Sequence, residues 1–274
     1  MGGALLIIQG TMMGLWLVAN YGRYGLLASL LILLISGSIE HTGTVTGFPF
    51  GSYQYTDVLV PKVFDVLPLA IPFAWLLVVP AAIGTTERLL YRGPLFPSLT
   101  QLHVHSSRSK MWFKVMGAAA FALLLDLTIE PVAVHINGYW VWDYSEVGYY
   151  GVPISNFVGW WITAVLLVWL LLLLQRASVL ARYTPHPRPV EGSRFHGQPT
   201  RFKQMCPWLP PLLYLLNLTM FVLVNIAHAH VAAATIGGLI LCYLGFDWLK
   251  PMVVRRSPTS RQETHRIMRD IIQD

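Results

Sequence analysis

Charged side chains are what this chain most lacks. Asp, Glu, Lys and Arg make up 12% of its 274 residues, half of the roughly 25% usual in a soluble domain. That shortage excludes a conventional water-soluble enzyme and a separate soluble domain. Cysteine is equally scarce: Cys206 and Cys242 form no metal or redox motif and no disulfide framework. No basic residue precedes the apolar run from Met1 to Gly10, so this segment is expected to be a first span rather than a cleaved leader. Glycine-rich fingerprints for dinucleotides or phosphates are missing too, and no cofactor is expected. The net charge of +6 is distributed by membrane side rather than gathered into a nucleic-acid footprint.

What is present is hydrophobic, 55% of the chain, and arranged in long runs. A bilayer crossing takes about 20 apolar residues. Seven helices are predicted: Ala4–Asn20, Gly25–Ile39, Val63–Ile83, Lys114–Val134, Ile154–Leu174, Leu209–Ala227 and Val231–Lys250. The expected fold is therefore all-α, a polytopic membrane helical bundle of about seven transmembrane helices. All of the 19 Lys and Arg residues except Lys62 then fall on one side, which puts the N-terminus outside, the C-terminus in the cytoplasm and the protein in the cell membrane. Residues 1–250 form one transmembrane domain in this reading, and 251–274 a basic cytoplasmic tail. Ser260 and Glu263 there could open a short amphipathic helix resting on the lipid surface.

The polar residues inside the spans cluster toward the outer face. Asp126 lies about 18 Å and Glu130 about 24 Å along the fourth helix at 1.5 Å per residue. Their spacing of four puts them on one helix face, where two carboxyls in low dielectric cannot both ionise cheaply. One of them is expected to carry a proton. Glu40 and His41 follow an apolar run of only about 15 residues, too short for a full crossing, which sets them below the outer surface. Intramembrane carboxyls cost about 2.5 to 3.5 kcal/mol each on insertion scales, so three on one side point to a site. Isolated Asn217, Asn225 and His135 read instead as polar locks between helices.

Two outer segments, Gly43–Thr56 and Asn137–Pro153, combine glycine and proline with ten aromatic residues. Such backbone is expected to fold back over the bundle, where protein shields it. A wall of Tyr and Trp suits a long apolar polyene and stabilises a passing carbocation through its π faces. The two halves also echo each other: Glu40 and Glu130 each end an outward helix, and Pro68 to Trp75 repeats the spacing of Pro153 to Trp160.

At these residues the chain resembles the CruF-type membrane carotenoid hydratases. The matching stretches are Gly47-Phe48-Pro49-Phe50-Gly51 with Tyr53 and Tyr55, Asp126 with Glu130-Pro131-Val132-Ala133, Trp140-Val141-Trp142, Tyr150-Gly151-Val152-Pro153, Asn156-Phe157 and Gly159-Trp160. The resemblance implies addition of water across the terminal double bond of an acyclic carotenoid, lycopene-like or longer, to give a tertiary alcohol. Such chemistry needs a strong, dry acid. Asp126 or Glu130 is the expected proton donor. Glu40, with His41, would position and deprotonate the water, while Tyr53, Tyr55, Trp140, Trp142, Asn156 and Trp160 would bind the end group.

Three other readings compete. A retinal protein needs a lysine inside its last helix, and Lys250 stands at the helix end. A metal-dependent hydroxylase could use His41, His135, His228 and His230, although dense histidine motifs are missing. A proton-coupled carrier would also use intramembrane carboxyls, but here the polar groups sit to one side rather than at the midplane. Neither the exact carotenoid nor the oligomeric state is legible in the sequence.

Overall fold

The computed structural model describes residues 2–92, 107–143, 148–183 and 205–254. The described residues hold seven helices and four short strands. In chain order they are α1 (Gly2–Tyr21), α2 (Arg23–Thr46), β1 (Tyr53–Tyr55), β2 (Lys62–Val63), β3 (Leu67–Pro68), α3 (Ala70–Arg92), α4 (Ser107–His135), β4 (Trp140–Trp142), α5 (Ile154–Tyr183), α6 (Leu209–Ala227) and α7 (Val231–Val254). The first six are long and apolar enough to cross a bilayer, and α7 carries the shorter apolar run Val231–Asp247. The chain is a multi-pass helical membrane protein. The proposed tail helix at Ser260 and Glu263 lies outside the described residues.

Several boundaries differ from the sequence expectation: α3 and α5 run on to Arg92 and Tyr183, α4 starts at Ser107, and two more differ for a local reason. Helix α2 runs on past Ile39 to Thr46 because its late hydroxyls turn inward on their own helix. Thr42, Thr44 and Thr46 donate to the carbonyls of Ser38, Glu40 and Thr42, and only Thr46 also serves the turn beyond, accepting from the Phe48 N–H. The helix stops at Gly47, whose φ of 77° is left-handed. Helix α3 begins at Ala70 rather than Val63, since Phe64 and Asp65 take left-handed φ values of 52° and 57° and turn β2 back onto β3.

Helix α3 is the centre of the bundle, touching α1, α2, α4, α5 and α6. Contact with α1 is so close that a Cβ on Gly10 would collide with the backbone carbonyl of Phe73. Gly10→Ala is therefore expected to lower the thermal midpoint of the purified protein, through an overpacking cost of about 1–3 kcal/mol. Gly238→Ala, with nothing within 4 Å of its added Cβ, is the control and should not lower it.

The two aromatic segments meet over one end of the bundle. There β1 pairs antiparallel with β4, Tyr53 opposite Trp142 and Tyr55 opposite Trp140. Thr56 extends the pairing, its N–H donating to the Tyr139 carbonyl at 3.0 Å. At the other end Trp16 and Asn20 of α1 hold Met205 through its carbonyl and its N–H, which fixes the entry into α6.

Candidate active site

Beneath the strand cap, Glu40 projects from α2 into the protein, 4% exposed. Side chains two apart on a strand share a face, so Tyr53 and Tyr55 both reach it. Their hydroxyls donate to the same oxygen, Oε2, at 2.8 and 2.9 Å. The other oxygen, Oε1, accepts from the Trp75 indole of α3 at 2.9 Å. Burial, and then the neighbouring Glu40, push both tyrosine pKa values up, so these hydroxyls stay protonated donors.

Glu130 of α4 faces the same space under the other strand. Its Oε2 accepts from Trp140 Nε1 at 3.0 Å and its Oε1 from Asn156 Nδ2 at 2.9 Å. That amide nitrogen also stands 3.4 Å from Asp126 Oδ2, so one donor bridges the two carboxyls. Asp126 Oδ1 and Trp142 Nε1 are buried with no hydrogen-bond partner in the structure.

Pro131 follows Glu130 and has no N–H for the Leu127 carbonyl four residues back. The Tyr149 hydroxyl donates to that oxygen at 3.0 Å instead. This hydrogen bond ties the loop before α5 to α4.

The two carboxyl groups share a cavity of about 100 Å³, walled by Tyr53, Tyr55, Trp75, Tyr139, Trp140, Trp142, Asn156 and Trp160 and floored by aliphatic side chains of α3, α4 and α6. An engineered apolar cavity of about 150 Å³ takes up benzene. A space of this size accepts the end of a long molecule rather than its whole length.

Of the residues singled out in the sequence, Glu40, Glu130, Tyr53, Tyr55, Trp140, Trp142, Asn156 and Trp160 line this cavity. Asp126 is fully buried and reaches the site through Asn156. His41 is not part of the wall and packs edge-on against Phe64 at 6.1 Å. The echo between the halves has a spatial counterpart: Trp75 and Trp160 stack at 4.3 Å, and the strands that follow Glu40 and Glu130 pair with each other. Trp75, Tyr139 and Tyr149 complete the site. Trp75 enters the sequence reading only through its spacing from Pro68, although a tryptophan deep in an apolar span was itself a signal.

Outside the cavity, His230 lies 6.0 Å from His135 and 6.4 Å from His228 between ring centroids. Burial first, then these two rings, lower the His230 pKa. Among the described residues no three His, Cys, Asp or Glu side chains group as a metal-binding set. Asn225 is an interhelical lock, donating from α6 to the Thr128 carbonyl of α4 at 2.8 Å. Asn217, which lines the cavity, instead bonds within its own helix.

Sequence comparison places this site among known proteins. The chain is 31% identical over 135 residues to bisanhydrobacterioruberin hydratase of Haloarcula japonica, a match spanning 49% of this chain and 40% of that relative. No solved structure matches the chain. A family model described as "Carotenoid biosynthesis protein" matches residues 1–244, nearly all of the bundle and both carboxyl groups, and the chain belongs to that family.

Proposed function

We propose that this protein is a cofactor-independent carotenoid hydratase, which adds water to the terminal C=C of an acyclic carotenoid to give a tertiary alcohol. The observation that carries the reading is the meeting of two separately held carboxyl groups, Glu40 and Glu130, in one aromatic-walled cavity. The relative's hydratase name supports it.

Glu130 is the acid in this scheme, because it stands on the cavity wall while Asp126 sits behind it. Its proton passes to the less substituted alkene carbon, and the π electrons form the new C–H bond. The positive charge is left on the tertiary carbon, beside the π faces of Trp140, Trp142 and Trp160. Water donates an oxygen lone pair to that carbon and loses a proton to Glu40, now acting as base. Returning this proton to Glu130 closes the cycle, with the net addition of one water and no oxidant. Asn156, bonded to both Glu130 and Asp126, is a positioning residue that holds the acid pair in register. The charge bias of the loops supports a cell-membrane protein with its strand cap on the outer side.

The test is pigment mass spectrometry on cells that make an acyclic carotenoid, with and without the protein, in ordinary and in ¹⁸O-labelled water. A product heavier by one water, its oxygen drawn from the solvent, is expected. A product heavier by one oxygen taken from O₂ would replace this reading with a metal hydroxylase, and transport of unchanged pigment with a carrier.

A further inference from the structure

Most sides of the catalytic cavity are sealed. Tyr53, Trp140 and Trp142 lie buried at its cap end. At the far end Val78, Ala81, Leu125, Leu213 and Tyr214 are buried as well, and the Tyr214 hydroxyl ties α6 to the Phe121 carbonyl of α4 at 2.8 Å. One flank differs. Leu6 of α1, Ala74 of α3, Ile129 of α4 and Phe221 of α6 line the same cavity and are each only partly buried. Ala74 is the telling one, because α3 is the central helix of the bundle and a residue on it stays accessible where the helices around it part.

The helices that part on this flank are α1 and α6. Helix α1 packs on α2 and α3, and α6 on α3, α4 and α7, but α1 and α6 do not pack on each other along their lengths. Their gap is framed above and below. At the far end Trp16 and Asn20 bond to Met205, just before α6. At the cap end the first turn of α1 lies against the strand cap, so closely that a Cβ on Gly2 would collide with the Tyr139 hydroxyl. Between Gly2 and Trp16, α1 rises about 21 Å at 1.5 Å per residue. The result is a tall window with Leu6 on one post, Phe221 on the other and Ala74 at its back. Posts and back are hydrocarbon, so an apolar chain passes from lipid to cavity without shedding water.

We infer that the carotenoid enters sideways from the bilayer between α1 and α6, and that its polyene stays in this window, packed on Leu6 and Phe221, while its end group reacts at Glu130. The inference rests on the proposed hydratase reading and adds how the substrate is selected. A cavity of about 100 Å³ holds the end group, and the rest of a long molecule needs a way out that hydrocarbon can occupy. Contacts in the window then reward chain length beyond the end group, since close packing against protein adds dispersion that loosely ordered lipid does not match.

The test measures binding apart from chemistry. The full-length protein in lipid nanodiscs is titrated with an acyclic carotenoid and with a short acyclic isoprenoid tetraene that ends in the same alkene, and initial tryptophan quenching is read before turnover. Wild type is expected to prefer the long ligand. Phe221→Ala should lose about tenfold in affinity for it and Leu6→Ala about fivefold, the scale of a trimmed apolar contact, and both should shrink the preference over the short ligand. Leu223→Ala, on the lipid-facing side of the same helix and 60% exposed, is the control and should change neither affinity. A window filled by lipid tails alone would give no length preference in wild type and would overturn the inference. So would an unchanged preference in both post variants, or an equal loss in the control. Failure of wild type to hydrate any carotenoid would refute the proposed reaction, and the binding result would still stand.

Discussion

Glu130→Gln is expected to lower hydration by about 10²- to 10⁴-fold, the usual contribution of a positioned general acid. The amide has nearly the same shape but no transferable proton. It also meets the wrong partners, because both oxygens of Glu130 accept hydrogen bonds, one from Trp140 and one from Asn156. Whichever way the amide turns, its NH₂ faces a donor. Asp126→Asn should cost less, since Asp126 does not line the cavity and acts on the substrate only through its neighbours. The check is pigment composition in cells expressing each variant, normalised to the protein in the membrane fraction. If Asp126→Asn proved inactive while Glu130→Gln kept wild-type turnover, the acid would be Asp126 and the scheme above would be wrong.

Much of this site was legible because membranes make polarity conspicuous. Glu40, Asp126 and Glu130 stand out in apolar runs where each charge costs about 2.5 to 3.5 kcal/mol on insertion scales. The tyrosines of β1 and the tryptophans of β4 stand out by density. What the sequence could not carry was their mutual arrangement. Tyr53 and Tyr55 meet Glu40 because β1 pairs with β4 in one particular register, and two three-residue strands give too little period-2 pattern to reveal it. Trp75 is a similar case, its indole N–H matched to Glu40 across 35 residues of sequence. The end of α2 lies beyond Ile39 because Glu40 is buried within the helix and Thr42, Thr44 and Thr46 bond their own helix, which a hydropathy run that stops at the first carboxyl does not register. His41 shows the opposite limit. It follows Glu40 in sequence, yet successive helical residues are turned by about 100°, and it faces Phe64 instead of the cavity.

Glu40→Gln is the second large effect expected, with hydration falling about 10²-fold or more as the water loses its base. A carboxylate offers about four lone-pair sites across its two oxygens. Tyr53 and Tyr55 take both on Oε2, and Trp75 takes one on Oε1. One acceptor site remains on Oε1 for a water. Each of the three donors hydrogen-bonds more strongly to a carboxylate than to an acid, and the free site on Oε1 is where the proton from water is taken. Removing one donor should therefore be far milder than removing the charge: Tyr55→Phe is expected to cost about tenfold, in the range of one hydrogen bond to a charged group. His41→Gln, away from the cavity wall, should retain near-wild-type turnover. The measurement is the initial rate of alcohol formation for all three variants in reconstituted membranes. A Tyr55→Phe loss as large as that of Glu40→Gln would move the base from the carboxylate to the tyrosine hydroxyl, and a His41→Gln loss of that size would move it to the imidazole.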